Sequence, residues 1–290
     1  MQQASSREGA GHLKPVIVLL AAIAICALVV WLGPVVAELF LTDQSSAVFA
    51  ETVFTVVIYG GLVVAAVAGA KLSGVNPLRL GEKPASSAAF GFAIGAVGVS
   101  LAAAYAWLAG TMSQLPGQSG LALLLAGTML IILQAGSEEV YFRGWLQPVL
   151  AERWGTAPAI VLAAVAFALL HVIGGARSPI TILNLLLGGL LFGLLAASRG
   201  GIAAAAAGHI GWNWTEQVVL GLVPNPGLGA FGSLMDWELA GATLWGGSEE
   251  GLNASLAMTF ALALFVVPLL LLRSIPGAAT GRDRSGPAPA

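Results

Sequence analysis

The stretch LALLLAGTMLIILQAGSEEVYFRG, residues 121–144, decides the fold. It opens on an apolar run that ends abruptly in two adjacent carboxylates, Glu138 and Glu139. A membrane-spanning helix needs roughly 20 predominantly apolar residues, and this run supplies most of them. A charged side chain at mid-bilayer costs on the order of 2.5–3.5 kcal/mol even on a lenient insertion scale. Two of them therefore demand compensation. Arg143 provides part of it, because it follows Glu139 by four residues and so lies one turn along on the same helical face. Glu138 points about 100° away and stays free for another task. The plain alternative is an ion cluster that ties helices together.

The rest of the chain has the same character. Of its 290 residues 58% are hydrophobic and only 9% charged, with a mean hydropathy of +0.90. Soluble domains carry about 25% charged residues, so the expected class is all-α, a polytopic membrane helical bundle in a lipid bilayer. The net charge of −2 comes without any basic cluster, which argues against a nucleic-acid partner. The single cysteine, Cys26, can form no internal disulfide and reads as a small packing residue rather than a nucleophile. Candidate spans fall at about 15–37, 47–70, 86–110, 121–150, 157–175, 180–198, 201–222 and 254–273, eight in all. The first is too long for a signal-peptide core, which runs about 7–15 residues. Connections are short except for 223–253, which is rich in Gly and Trp and is expected to cap one mouth of the bundle. The tail after Ser274 reads as disordered.

Lysine and arginine test the count, because they gather in cytoplasmic loops. With both termini in the cytoplasm, that side receives Arg7, Lys14, Lys71, Arg79, Lys83, Arg143, Arg153, Arg199, Arg273, Arg282 and Arg284. Only Arg177 falls outside, and the outer loops collect acids instead. The expected location is the plasma membrane, crossed many times. Tryptophans Trp31, Trp107, Trp154, Trp212 and Trp214 read as interfacial anchors.

Polar residues deep in the later spans change the weight of Glu138. No turn signal interrupts the chain until Gly155, so the fourth and fifth helices form an antiparallel hairpin pivoting there. Glu138 lies seventeen residues before that pivot and His171 sixteen after it, which brings both to one depth. His209 and Asn213, four apart, share a face of the seventh span. Gly208 and Gly211 beside them admit a close neighbour. A convergent polar cluster in hydrocarbon is by default a functional site.

Three motifs now stand in order on separate spans. They are Glu138-Glu139-Val140-Tyr141-Phe142-Arg143, Phe167-Ala168-Leu169-Leu170-His171 and His209-Ile210-Gly211-Trp212-Asn213. They resemble the EExxxR, FxxxH and HxxxN motifs of the CAAX prenyl protease and bacteriocin-processing family. The resemblance covers roughly 86–273 and divides the chain into an N-terminal pair of spans with a basic loop (1–85), a catalytic helical core (86–273) and a tail (274–290). It implies an intramembrane endopeptidase whose cavity opens to the cytoplasmic leaflet. The partner would be a membrane-associated or lipid-modified peptide or protein; a CAAX substrate is not carried over.

Peptide hydrolysis needs an activated water, a stabilised oxyanion and a proton for the leaving amine. Glu138 suits the general base, and His171 would orient the water or help deliver the proton. His209 and Asn213 are donors for the oxyanion. Glu139 and Arg143, with Phe167, would support them. A metal-assisted version uses Glu138, His171 and His209 as ligands of Zn2+ or another divalent ion, and the choice stays open. An ion or proton-coupled transporter and a non-catalytic scaffold or immunity protein are the rival readings; the first predicts broken helices and related halves, for which only Gly188-Gly189 in the sixth span leaves room.

Overall fold

The computed structural model describes residues 2–116, 119–224 and 229–274, so the tail marked as disordered lies outside the described residues. The architecture is helical. The chain forms α1 (Gln2–Glu38), α2 (Ala47–Ser73), α3 (Pro84–Leu108), α4 (Leu121–Glu139), α5 (Gln147–Trp154), α6 (Thr156–Ile173), α7 (Pro179–Arg199), α8 (Ala203–Trp214) and α9 (Leu256–Ser274). A π-helical segment, Val140–Leu146, joins α4 to α5 into one rod, Leu121–Trp154. A second, Thr215–Leu220, extends α8. Every expected span has a helix. Six of them are long and apolar enough to cross a membrane: Pro15–Glu38, α2, α3, Leu121–Trp154, α6 and α7. The seventh and eighth are shorter as apolar helices, at Ala203–Trp214 and Leu256–Leu272.

Two local features depart from the sequence expectation. The fourth span is not a uniform α-helix, because Pro148 lacks the N–H that the α ladder would need. Ahead of it the ladder widens, and Gln147 N–H reaches back to the carbonyl of Phe142. The second departure is a small sheet in an otherwise helical chain. Met112–Gln114 (β1) pairs antiparallel with Trp237–Leu239 (β3), and β3 pairs parallel with Leu222–Val223 (β2). It anchors the long connection: Leu239 is buried in the core, and Ala240 N–H donates to the carbonyl of Thr111 at 2.8 Å. The same connection is tied to α2 where Ala230 N–H donates to both oxygens of Glu51, at 3.0 and 3.1 Å. Glu250 accepts the N–H groups of Arg177 and Ser178, at 3.2 and 2.8 Å, and so caps the start of α7.

The hairpin pivots where expected. Gly155 sits at φ 80°, a conformation that L side chains avoid, and α6 starts at the next residue with Pro158 in its first turn. At the same end of the bundle the basic loops join: Ile202 N–H donates to the carbonyl of Arg79 and Glu82 N–H to that of Arg199.

The close neighbour that Gly208 and Gly211 admit is α3. A Cβ at Gly91 would strike the carbonyl of Ala204, and one at Gly95 would strike that of Gly208. A Cβ at Gly211 would stand 2.6 Å from the carbonyl of Phe92. Small residues are the means by which membrane helices approach so closely. Trp212 fills the space over Gly98 and is 6% exposed, while Trp214 donates to Thr128 Oγ1 at 3.1 Å. These two tryptophans are packing and hydrogen-bonding residues rather than interfacial anchors. Trp31 and Trp107, at 72% and 59% exposed, keep the anchor assignment. Cys26 is buried, as a packing residue should be.

Replacing Gly95 by valine is expected to force α3 and α8 apart. Overpacking typically costs about 1–3 kcal/mol, and here the added atoms meet backbone, which cannot rotate away. The unfolding midpoint of the purified protein in detergent should fall clearly, while valine at Gly188, whose Cβ would meet nothing within 4 Å, should leave it nearly unchanged.

Candidate functional site

Glu138, at the end of α4, is 4% exposed and its Oε2 finds no hydrogen-bond partner among the described residues. It faces a cavity of about 590 Å³ that also receives Phe167 and His171 from α6, Phe192 from α7, and His209 and Asn213 from α8. The four polar residues picked from the sequence thus line one space. Glu139 and Arg143 stand behind its wall, with side chains fully buried.

The local folding explains the arrangement. Glu139 and Arg143 form the expected ion pair, 3.0 Å between Oε1 and a guanidinium nitrogen. The other terminal nitrogen of Arg143 donates to the carbonyl of Gly189 at 2.8 Å. The guanidinium also lies over the rings of Phe167 and Phe192, at 4.8 and 5.7 Å from their centres. Gly189 is therefore a contact point in an unbroken helix. A Cβ there would press on Ala164, so its small size sets the α6–α7 approach.

Glu139 has a second task that intrahelical spacing did not reveal. Its Oε1 accepts Nδ1–H of His209 at 2.9 Å. The bond fixes the imidazole so that Nε2 turns to Glu138, 4.0 Å from Oε2. Phe192 stacks on the same ring, with centroids 4.6 Å apart and planes 16° apart. The second histidine is held differently. Nδ1–H of His171 donates to the carbonyl of Phe167 at 2.9 Å, leaving Nε2 available in the cavity. The Phe167 ring lies 4.6 Å from the His171 ring and 5.9 Å from that of His209, so this one side chain spaces the two histidines.

Several lining residues escaped the sequence reading. Phe192 belongs to no polar pattern, and nothing in its neighbourhood marks it. Gln134 and Tyr59 share a 2.9 Å hydrogen bond on the wall. Glu216 was visible, because it follows Asn213 by three residues and falls on the same face. The first two spans, which add nothing to the motifs, still build the wall through residues such as Pro34, Phe54 and Tyr59.

Among the described residues no group of three His, Cys, Asp or Glu side chains converges closely enough to hold a metal ion. His209 already spends Nδ1 on Glu139, and its Nε2 stands 4.0 Å from Glu138. Glu138, His171 and His209 do not make a ready ligand set as arranged.

Fold and site together define a multi-pass membrane protein with an acid–histidine cavity enclosed by its helices. The family model described as Type II CAAX prenyl endopeptidase Rce1-like matches residues 120–215, and this segment carries all three motifs. The match agrees with the resemblance read from the motifs: over this segment the chain is similar to that family of CAAX-type membrane proteases. A comparison with curated proteins finds no match.

The ion pair can be tested apart from any activity. Removing one partner of a buried pair typically costs about 3–5 kcal/mol, whereas replacing both by uncharged groups can be nearly neutral. Arg143→Met should lower the unfolding midpoint sharply, and the Glu139→Gln/Arg143→Met double variant should recover much of the loss. A double variant no more stable than Arg143→Met would mean that the pair does not govern stability.

Proposed function

We propose that the protein is an intramembrane endopeptidase that hydrolyses a peptide bond of a membrane-associated or lipid-modified substrate with a glutamate-activated water. The observation that carries this reading is Glu138 itself, a buried carboxylate with an unpartnered oxygen turned to a cavity shared with two differently held histidines. In this reading Glu138 takes a proton from water as the water attacks the carbonyl carbon. The proton that Glu138 takes from the water passes to the bare Nε2 of His171, whose Nδ1–H is held by the Phe167 carbonyl, and from there to the leaving amine. His209 donates from Nε2 to the developing oxyanion in its imidazolium form, while Glu139 accepts its Nδ1–H and holds the ring in place. Asn213 adds a second donor. Glu139 and Arg143 position these groups from behind the wall, and Phe167 spaces the two histidines within the cavity.

The same proposal takes residues 86–273 as the catalytic core and 1–85 as a helical pair that completes the cavity wall. It takes the bundle as crossing the plasma membrane eight times with both termini in the cytoplasm. Arg143 is withdrawn from the charge tally that supports this orientation, since it is a buried partner of Glu139 and not a loop residue. The tally then assigns ten basic residues to the cytoplasmic side and Arg177 to the other.

Purified protein incubated with a peptide library provides the test. Cleavage should vanish in Glu138→Gln and His171→Ala, and fall by about 10²–10³ in Asn213→Ala, the usual cost of one oxyanion donor. Activity that survives Glu138→Gln would end the glutamate mechanism, and ion flux without cleavage would favour the transporter. Activity should also persist after exhaustive chelation; loss with recovery on adding Zn2+ would put a metal at the site.

A further inference from the structure

Of the buried side-chain oxygens on α4 that have no hydrogen-bond partner among the described residues, two line the cavity: Oε2 of Glu138 and Oε1 of Gln134. They stand four residues apart on one face of the helix, a step of about 6 Å along its axis. The mechanism above uses the first and gives the second no task. The Gln134 amide does not swing freely, because its Nε2 donates to the hydroxyl of Tyr59 on α2 at 2.9 Å. The amide oxygen is therefore the end left over. A buried acceptor without a donor carries its whole desolvation cost, so native structures rarely keep one without a use.

The neighbouring helix repeats the step. His209 lies 4.0 Å from Glu138, and Trp214 donates to Thr128 at 3.1 Å, so α8 runs antiparallel to α4. Asn213, four residues after His209, then comes level with Gln134, four residues before Glu138. Two tiers result: one holds the carboxylate and its histidine, and the next holds two carboxamides on adjacent helices. A peptide strand matches that interval. It advances about 3.3 Å per residue and repeats its facing at every second residue, about 6.6 Å on. A helical segment does not match, because its N–H groups are already spent on its own carbonyls.

We propose that Gln134 binds the substrate main chain: its Oε1 accepts the N–H of the residue two positions from the scissile bond and holds the peptide extended across the site. Tyr59 is the positioning residue, which acts by aiming the amide. This inference rests on the protease reading above and adds to it a rule of selection. Recognition through the main chain accepts any side chain at that position except proline, which has no N–H to give.

The test takes a peptide that the wild-type protein cleaves, chosen from the library above, and a set of its depsipeptide analogues. Each analogue replaces one backbone N–H flanking the cleaved bond by an ester oxygen. With wild-type protein, kcat/KM should fall roughly three- to tenfold for the analogue altered two residues from the cleaved bond, the usual effect of one hydrogen bond. Gln134→Leu should raise KM for the parent peptide by a similar factor, and on that analogue it should lose only about twofold or less. A merely structural role would lower stability or rate without this pairing. Tyr59→Phe carries the same comparison should Gln134→Leu fold poorly, again with a smaller penalty on that analogue than wild type shows. Equal losses in wild type and variant would overturn Gln134 as the acceptor, and ready cleavage with proline at that position would overturn the selection rule. A wild-type protein that cleaves no library peptide would instead remove the protease reading, and this inference with it.

Discussion

One carboxylate oxygen holds the site together. Oε1 of Glu139 accepts from Arg143 within its own helix and from His209 of α8, so a single atom joins two elements distant in sequence. In hydrocarbon such an atom cannot be left unpaired, and neither can the guanidinium it faces. Arg143 extends the link to α7 through the carbonyl of Gly189, and its flat cation is sandwiched by aromatic rings from α6 and α7. The aim of His209 Nε2 towards Glu138 follows from this anchoring. Two adjacent glutamates therefore divide the labour: one is paired through Oε1 to two neighbours and fixes geometry, while the other turns an unpartnered oxygen to the cavity.

The parts of this arrangement legible in the sequence were those that helical periodicity and depth can express. The i, i+4 pair of Glu139 and Arg143, the shared face of His209 and Asn213, and the equal depth of Glu138 and His171 about Gly155 all follow from 3.6 residues per turn and a fixed rise. Contacts between helices do not follow from spacing, which is why Glu139 was assigned to Arg143 alone and Phe192 went unnoticed. The π segment Val140–Leu146 was hidden for another reason. Pro148 reads as an ordinary first-turn proline once a helix boundary is drawn before it, and only the Gln147-to-Phe142 bond shows that the rod continues through a wider turn. Trp212 and Trp214 look like anchors by position, yet each faces α3 or α4 rather than lipid headgroups.

The small-residue packing of α3 against α8 gives the site its rigidity. His209 sits between Gly208 and Gly211, whose backbones rest on Gly91, Gly95 and Phe92. With backbone against backbone at these points, α8 has little freedom to rotate, and the imidazole keeps its aim without help from solvent. The Ala203–Ala207 run contributes in the same way, through Ala204 against Gly91. Close approach and polar placement are thus one design: the glycines that allow the first also steady the second.

The connection 223–253 completes that logic. A loop of this length would ordinarily leave many backbone groups in search of partners. Here it is stitched to the bundle by a three-strand sheet, by Glu51 and by Glu250 at the head of α7. The last of these matters most for the cavity. The carboxylate that caps α7 also lines the cavity, so the position of the helix that carries Phe192 and Gly189 depends on that loop. Any displacement of Glu250 would be felt at both its own part of the cavity and the wall that holds Arg143, which couples the loop to the geometry of the site.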